Sequence, residues 1–88
     1  MDKLSAMATF VAVVDTGSFT RAAESLDLPK ARVSQRISDL EAALGVRLLQ
    51  RSTRALSLTK DGDVYLERCR QILLDITEVE DALKGSES

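Results

Sequence analysis

Hydrophobic positions recur every three or four residues along most of this chain, a spacing that predicts amphipathic helices. Gly17 and Ser18 mark the end of the first such segment, since glycine tolerates the left-handed backbone of a helix end and serine caps the helix that follows. We therefore predict a first helix over residues 2–15 that supports the core. Its apolar stripe consists of Leu4, Met7, Ala8, Val11 and Val14, with Phe10 beside it.

A short second helix and a longer third helix are predicted next, separated by a tight turn. Ala22 and Ala23 are small enough to let two helices approach closely. Pro29 cannot continue a helix but suits the first turn of one. Helix, turn and longer helix form the pattern of a helix-turn-helix, in which the second helix enters the DNA major groove. Spacings of four, three and four fix the buried face of the third helix as Val33, Ile37, Leu40 and Leu44.

The opposite face of this third helix carries short polar and cationic side chains. Gln35 can pair with adenine, Arg32 with guanine, and Ser34 with either a base or a phosphate. On an isolated helix such a face is more often merely solvated, but the preceding helix and turn favour DNA reading. The face comprises Ala31, Arg32, Ser34, Gln35 and Ser38.

Two short segments with period-two patterns follow Gly45, which ends the third helix. Residues 46–50 and 55–58 predict a two-stranded hairpin whose loop has Arg51 and Arg54 at its ends. A hairpin after a recognition helix is the wing of a winged helix, and its arginines would contact the sugar-phosphate backbone or the minor groove. The alternative is a solvated basic hairpin.

A last helix beginning at Thr59 carries a heptad seam that is too long to be buried against so small a domain. Self-association would cover it, and Leu66 and Leu73 widen the stripe so that the helix should also touch its own domain. Cys69 is better explained as a small buried apolar residue than as a redox switch. The seam consists of Tyr65, Cys69, Ile72, Ile76, Val79 and Leu83.

Composition excludes several classes of function. The 88 residues are 44% hydrophobic and 30% charged, which fits one small globular domain. With no histidine and a single cysteine, a zinc site, a histidine-activated nucleophile and an internal disulfide all lack their parts. No apolar run reaches the roughly 20 residues of a membrane helix, and no secretory signal begins the chain. We expect a cytoplasmic protein that is not an enzyme, with no metal and no cofactor in this part of the chain.

The net charge of −2 conceals a strong polarity. Residues 30–60 contain seven cationic and two acidic residues, whereas the chain from residue 63 onwards contains three cationic and seven acidic residues. A basic patch attracts phosphates locally, whatever the total charge. Arg21, in the first turn of the second helix, opposes the helix dipole, so we expect it either to face a phosphate or to pair with Asp15 or Glu24.

Spaced motifs over residues 1–84 add a family resemblance. They comprise residues 10–14 and 17–23, Ser34, Ile37, residues 40–41 and 44–49, Arg51, residues 58–59 and Gly62. Together they resemble the amino-terminal DNA-binding region of LysR-type transcriptional regulators. The resemblance implies a mainly α fold: a winged helix-turn-helix of three helices and a two-stranded β-hairpin over residues 1–58, and a linker helix over 59–84. It also implies that this helix dimerises antiparallel and that residues 85–88 lead to a missing effector-binding domain.

The resemblance also implies site residues. The base-reading positions, taken with the exposed face of the third helix, are Lys30, Ala31, Arg32, Ser34, Gln35 and Ser38. The phosphate-contacting positions, to which the capping Ser18 is added, are Ser18, Thr20, Arg21, Arg36, Arg51, Thr53 and Arg54.

These observations lead to one functional hypothesis and one rival. The first is a homodimer that binds double-stranded DNA sequence-specifically as part of a transcriptional regulator. In the full-length protein we expect higher oligomers and a small-molecule effector bound by the missing domain, without membrane association. The rival is a protein-interaction module built on the heptad helix. An enzyme would have only Cys69, Tyr65 and scattered acids to use.

Overall fold

The computed structural model describes residues 1–51 and 55–85, and this part of the chain forms four helices and one antiparallel hairpin. The mainly α winged helix-turn-helix with a long final helix is confirmed. The elements in chain order are α1 (Lys3–Thr16), α2 (Phe19–Leu26), α3 (Lys30–Leu44), β1 (Leu49–Arg51), β2 (Leu56–Leu58) and α4 (Lys60–Gly85).

Helix α1 is capped at both ends, but its buried face differs from the prediction. The side chain of Asp2 accepts hydrogen bonds from the amide and hydroxyl of Ser5, which lowers the pKa of Asp2. Leu4, predicted to lie on the buried stripe, is 47% exposed. The helix turns a different side inward because α2, α3 and α4 all pack on it. The fully buried positions of α1 are Ala6, Phe10 and Val13.

The helix-turn-helix is built as predicted. Ser18 caps α2 by accepting a hydrogen bond from the amide of Arg21 at 3.2 Å. Asp27 ends α2 in the left-handed conformation, and Pro29 occupies the N-cap of α3 with an extended backbone. Ala22 and Ala23 are buried where α2 meets its neighbours. The predicted small contact residues therefore hold the two helices together.

The wing begins later than predicted. Leu49 pairs with Leu58 and Arg51 with Leu56, so Arg51 belongs to β1 and not to the loop. The strand starts at Leu49, and the amide of the preceding Leu48 donates a hydrogen bond to a side chain of α3. The loop positions Thr53 and Arg54 lie outside the described residues.

Helix α4 begins against the wing and then continues beyond the core. Thr59 caps it, since its hydroxyl oxygen accepts a hydrogen bond from the amide of Gly62 at 2.9 Å. The amino-terminal half packs on α1, where the ring centroids of Tyr65 and Phe10 are 5.7 Å apart. The helix includes Gly85, one residue past the predicted boundary at 84. Its 26 residues correspond to a length of about 39 Å.

Candidate nucleic-acid interface

Helix α3 presents an open face on the side opposite its buried residues. Val33 and Ile37 are fully buried and fix the rotation of the helix about its axis. Of the six predicted base-reading positions, Ser34 is half-buried and five are exposed. The exposed five are Lys30, Ala31, Arg32, Gln35 and Ser38.

One of these reading side chains already has a partner. The amide nitrogen of Gln35 donates a hydrogen bond to Oδ1 of Asp39, at 2.8 Å, one turn further along α3. A base that pairs with Gln35 must replace this contact or use the amide oxygen. Asp39 therefore restrains Gln35 and adds a negative charge beside the reading face, which the sequence analysis did not anticipate.

The start of α2 lies beside the wing. Ser18 uses its hydroxyl oxygen for the cap, whereas Thr20 and Arg21 are exposed in the first turn. Of the two acids considered as partners of Arg21, Asp15 instead pairs with Arg70 on α4, at 2.6 Å. Asp15 is therefore taken by another cation, and either a phosphate or Glu24 stays the predicted partner of Arg21.

The wing contributes a cation to the same place. The guanidinium carbon of Arg51 lies 4.9 Å from the centroid of the Phe19 ring, a cation–π contact. Phe19 is the first residue of α2, between Ser18 and Thr20. Arg51 is thereby held next to the first turn of α2, where free amides favour an anion. Two elements that are far apart in sequence, α2 and β1, thus meet at this contact.

Arg36 is placed differently from the other predicted phosphate contacts. It is half-buried, and its Nη1 donates a hydrogen bond to Oγ1 of Thr9, at 3.2 Å. Thr9 is a buried polar residue of α1. Arg36 therefore ties α3 to α1, and its contact with phosphate stays a prediction.

Glu41, which is not among the predicted site residues, is 8% exposed. Oε2 of Glu41 accepts hydrogen bonds from the amides of Leu48 at 2.7 Å and Leu49 at 3.2 Å, and Nε of Arg47 lies 3.9 Å from the same oxygen. One signal could have revealed it: Glu41 follows the buried Ile37 by four residues, so it lies on the inward face of α3. An acid in that position needs buried partners.

The predicted heptad seam is divided in two by the structure, which corrects its extent. Cys69 is fully buried in the chain's own core and Tyr65 is half-buried against Phe10. Burial raises the pKa of Tyr65 to about 12 and also raises the pKa of the Cys69 thiol. These two side chains face inward because α4 starts on the domain and leaves it only after its third turn. The exposed large apolar residues further along α4 are Ile72, Leu74, Val79 and Leu83.

A match to a protein family identifies the family of this chain. Residues 4–63 match the model described as bacterial regulatory helix-turn-helix protein, lysR family. The chain belongs to the lysR family. The matched segment includes the helix-turn-helix, the hairpin and the first residues of α4, so the LysR resemblance found in the sequence is confirmed.

Similar sequences include both a transcriptional repressor and a transcriptional activator. The chain is 68% identical over 85 residues to an HTH-type transcriptional repressor of Pseudomonas aeruginosa (strain UCBPP-PA14), covering 97% of this chain and 27% of that protein. It is 42% identical over 83 residues to the HTH-type transcriptional activator AaeR of Escherichia coli (strain K12), covering 94% of this chain and 27% of AaeR. The chain thus spans about a quarter of the length of these relatives.

Solved structures show the same fold. A crystal structure of a BenM_DBD/catB site 1 DNA complex superimposes with a TM-score of 0.92 at 32% identity, covering 100% of this chain and 98% of that chain. The crystal structure of CbnR, a LysR family transcriptional regulator, gives a TM-score of 0.85 at 33% identity and covers 96% of this chain and 29% of CbnR. Both likenesses include the wing and the long helix.

Within residues 1–51 and 55–85, none of the helices combines the length and the apolar character of a membrane span. No group of three or more His, Cys, Asp or Glu side chains there could hold a metal ion.

Proposed function

We propose that this chain binds double-stranded DNA sequence-specifically as the DNA-binding portion of a lysR-family transcriptional regulator. The observation that carries the proposal is the contact of Arg51 with Phe19, which holds the wing beside the first turn of α2. Helix α3, with its open face, is the second helix of the same helix-turn-helix. This arrangement supports a reading surface on α3 and a phosphate-binding surface beside it in the same domain. The BenM_DBD complex, whose chain shares this fold, contains DNA.

Helix α3 would enter the major groove and read base edges. Gln35 can form two hydrogen bonds with adenine and Arg32 two with guanine, and each such pair discriminates by about 1–3 kcal/mol. Ser34 and Ser38 are short enough to let the helix approach closely. Because Val33 and Ile37 anchor the helix in the core, these side chains would meet the bases without a large rearrangement.

The first turn of α2 and the wing would fix this register by binding phosphates. Thr20 can donate its hydroxyl proton and Arg21 its guanidinium protons to one backbone segment, while Arg51 neutralises charge at the neighbouring position. Such contacts carry no sequence information but orient the domain on the duplex. The predicted contacts of Thr53 and Arg54 would extend the same surface.

The chain would act as a homodimer through α4. From Ile72 onwards that helix exposes large apolar side chains, among them Ile72 at 42% and Val79 at 56%. Residues 73–85 carry four acids and one cation, whereas residues 60–72 carry three of each. A parallel pair would bring the two acidic halves together, and an antiparallel pair separates them. Two recognition helices would then meet a dyad-symmetric site at a fixed distance.

The rest of the regulator would supply its control. The relatives are several times longer than this chain, so the full protein would carry a further domain for a small-molecule effector. Binding of that effector would change how the DNA-binding portions sit on a promoter, and higher oligomers would join several of them.

Selection of bound sequences from a random duplex pool tests the proposal. The expected result is enrichment of an inverted repeat with half-sites about one helical turn apart. The selected duplex should then bind more tightly than a scrambled duplex in a gel shift at moderate salt. The rival function is a protein-interaction module built on the heptad helix, α4. It would be supported if no sequence were enriched and the chain self-associated stably whether or not DNA was present.

A further inference from the structure

Residues 45–49 join the recognition helix to the wing, and they are held mainly by one residue, Glu41. The backbone carbonyl of Glu41 accepts the amides of Gly45 at 2.8 Å and Val46 at 3.3 Å. Its side-chain Oε2 accepts the amides of Leu48 at 2.7 Å and Leu49 at 3.2 Å. Four of the five backbone amides in this joint therefore donate hydrogen bonds to a single residue of α3.

The side-chain half of this arrangement depends on charge. A buried carboxylate is unfavourable unless hydrogen bonds and nearby cations compensate for lost hydration. Glu41 has both, since two amides donate to it and Arg47 lies beside it. Bonds to an ionised acceptor are stronger than neutral ones, so the carboxylate fixes the backbone at the base of the wing.

The opposite side of the joint is fixed by the start of α4. The amide of Thr59 donates to the carbonyl of Leu48 at 3.0 Å, and its hydroxyl donates to the carbonyl of Arg47 at 2.6 Å. The joint is thus held between α3 and α4. Arg51, the described phosphate-contacting candidate of the wing, follows only two residues after the joint ends. Any displacement at the joint is passed to Arg51 through β1.

We propose that Glu41 is a positioning residue for DNA binding: it holds the wing at a fixed place relative to the recognition helix, so that both engage one duplex together. This inference rests on the proposed function. A wing fixed in advance loses little conformational freedom on binding, and that preorganisation raises affinity. Loosening the joint weakens the phosphate contacts of the wing and leaves base reading by α3 intact.

The first experiment compares Glu41→Gln with Glu67→Gln, a matched control at an exposed position of α4. Both variants are measured on a duplex selected by the unaltered chain, with circular dichroism to verify the helices. We expect Glu41→Gln to bind about tenfold more weakly, with a salt slope lower by about one unit for each lost phosphate contact. Its relative preference among single-base variants of the site should be unchanged. Binding equal to that of the control overturns the inference.

A double-mutant cycle with Arg51→Ala separates positioning from general damage. If Glu41 acts through the wing, the two substitutions are not additive, and Glu41→Gln costs much less affinity once Arg51 is gone. Additive losses overturn the inference. If Glu41→Gln loses its helical dichroism, Glu41→Asp, which keeps the charge and shortens the side chain, enters the same cycle with the same criteria. Failure of the unaltered chain to bind any duplex would instead refute the proposed function.

Discussion

The guanidinium of Arg51 lies over the ring of Phe19, so the wing is attached to the first turn of α2 by a cation–π contact. The contact orients a flexible cation at a helix end that itself attracts anions. The aromatic residue at the start of α2 therefore does more than fill the core. It gives the wing arginine a fixed direction, and this arrangement leads to the first prediction.

Arg51→Ala should weaken binding to all duplexes by a similar factor and lower the salt slope by about one unit. Arg51→Lys keeps the charge but loses the planar stacking on Phe19, so it should retain the slope and lose part of the affinity. Titrations at several salt concentrations measure both quantities. Arg68→Ala, at an exposed position of α4, is the control, and an unchanged slope for Arg51→Ala would place Arg51 away from DNA.

Gln35→Ala should weaken binding to the selected site by about 1–3 kcal/mol and relax the preference at one base pair. The reason is that Gln35 lies on the open face of α3. Asp39→Asn, the control, removes the charge that restrains Gln35 and should strengthen binding to every duplex without changing the preferred base. Equal weakening of Gln35→Ala on random DNA would show that Gln35 does not read a base.

Gly62→Ala should destabilise the fold by about 1–3 kcal/mol, because overpacking against backbone is costly. A Cβ at position 62 would overlap the carbonyl oxygen of Leu48 and come within 3.1 Å of Cδ2 of Leu58. Gly85→Ala, on the same helix, meets nothing within 4 Å and serves as the control. Urea unfolding measures both, and equal stability of the two variants would mean that α4 does not pack closely on the wing.

Sequence patterns predicted the elements well because their signals are local. Gly17, Ser18 and Gly45 act at helix ends through their own backbone or side chain. The four-three-four spacing in α3 correctly places Val33, Ile37 and Leu40 in the core, but the prediction was wrong for Leu44, which is 40% exposed at the end of the helix. The alternation predicts the wing, but the hydrogen bonds of Glu41 to the amides of Leu48 and Leu49 span seven and eight residues and leave no local signal.

The misplaced features all depend on contacts between distant parts of the chain. Spacing predicted that Leu4 lies on the buried stripe of α1, but the packing of α2, α3 and α4 buries Ala6 and Val13 and leaves Leu4 exposed. The heptad seam is continuous in sequence. Cys69 is buried and Val79 is exposed because α4 leaves the domain between these two residues. The hydrogen bond between Gln35 and Asp39 depends on the rotamer of Gln35, which the sequence does not specify.

Tyr65 gives a prediction about pH. Burial, the largest cause, raises the pKa of Tyr65 to about 12 from the ordinary value of 10.0. In the folded state the ring stays protonated above pH 10, while the unfolded chain ionises, so stability should fall as pH rises from about 10 to 12. The chain has one tyrosine and no tryptophan, so tyrosinate absorbance reports this group alone. Tyr65→Phe should flatten the fall in that window; an ordinary titration midpoint would show that the ring is solvated.

Val79→Asp tests the dimer. Val79 is 56% exposed in a single chain, so the substitution leaves the domain's own core intact. In an antiparallel pair it would bury an unpaired charge from each copy, and we expect dimer affinity to fall by about a hundredfold or more. Thr77→Asp adds the same charge at an exposed position off the apolar face and should have little effect. Analytical ultracentrifugation measures self-association directly.

The same two variants connect the dimer to DNA. Because one recognition helix contacts only a few base pairs, loss of the pair should remove most of the preference for an inverted repeat while leaving weak binding to a single half-site. A gel shift on duplexes with one or two half-sites separates these effects. If Val79→Asp stays dimeric, or if its monomer binds the full repeat as tightly as the unaltered chain, α4 does not couple two reading heads.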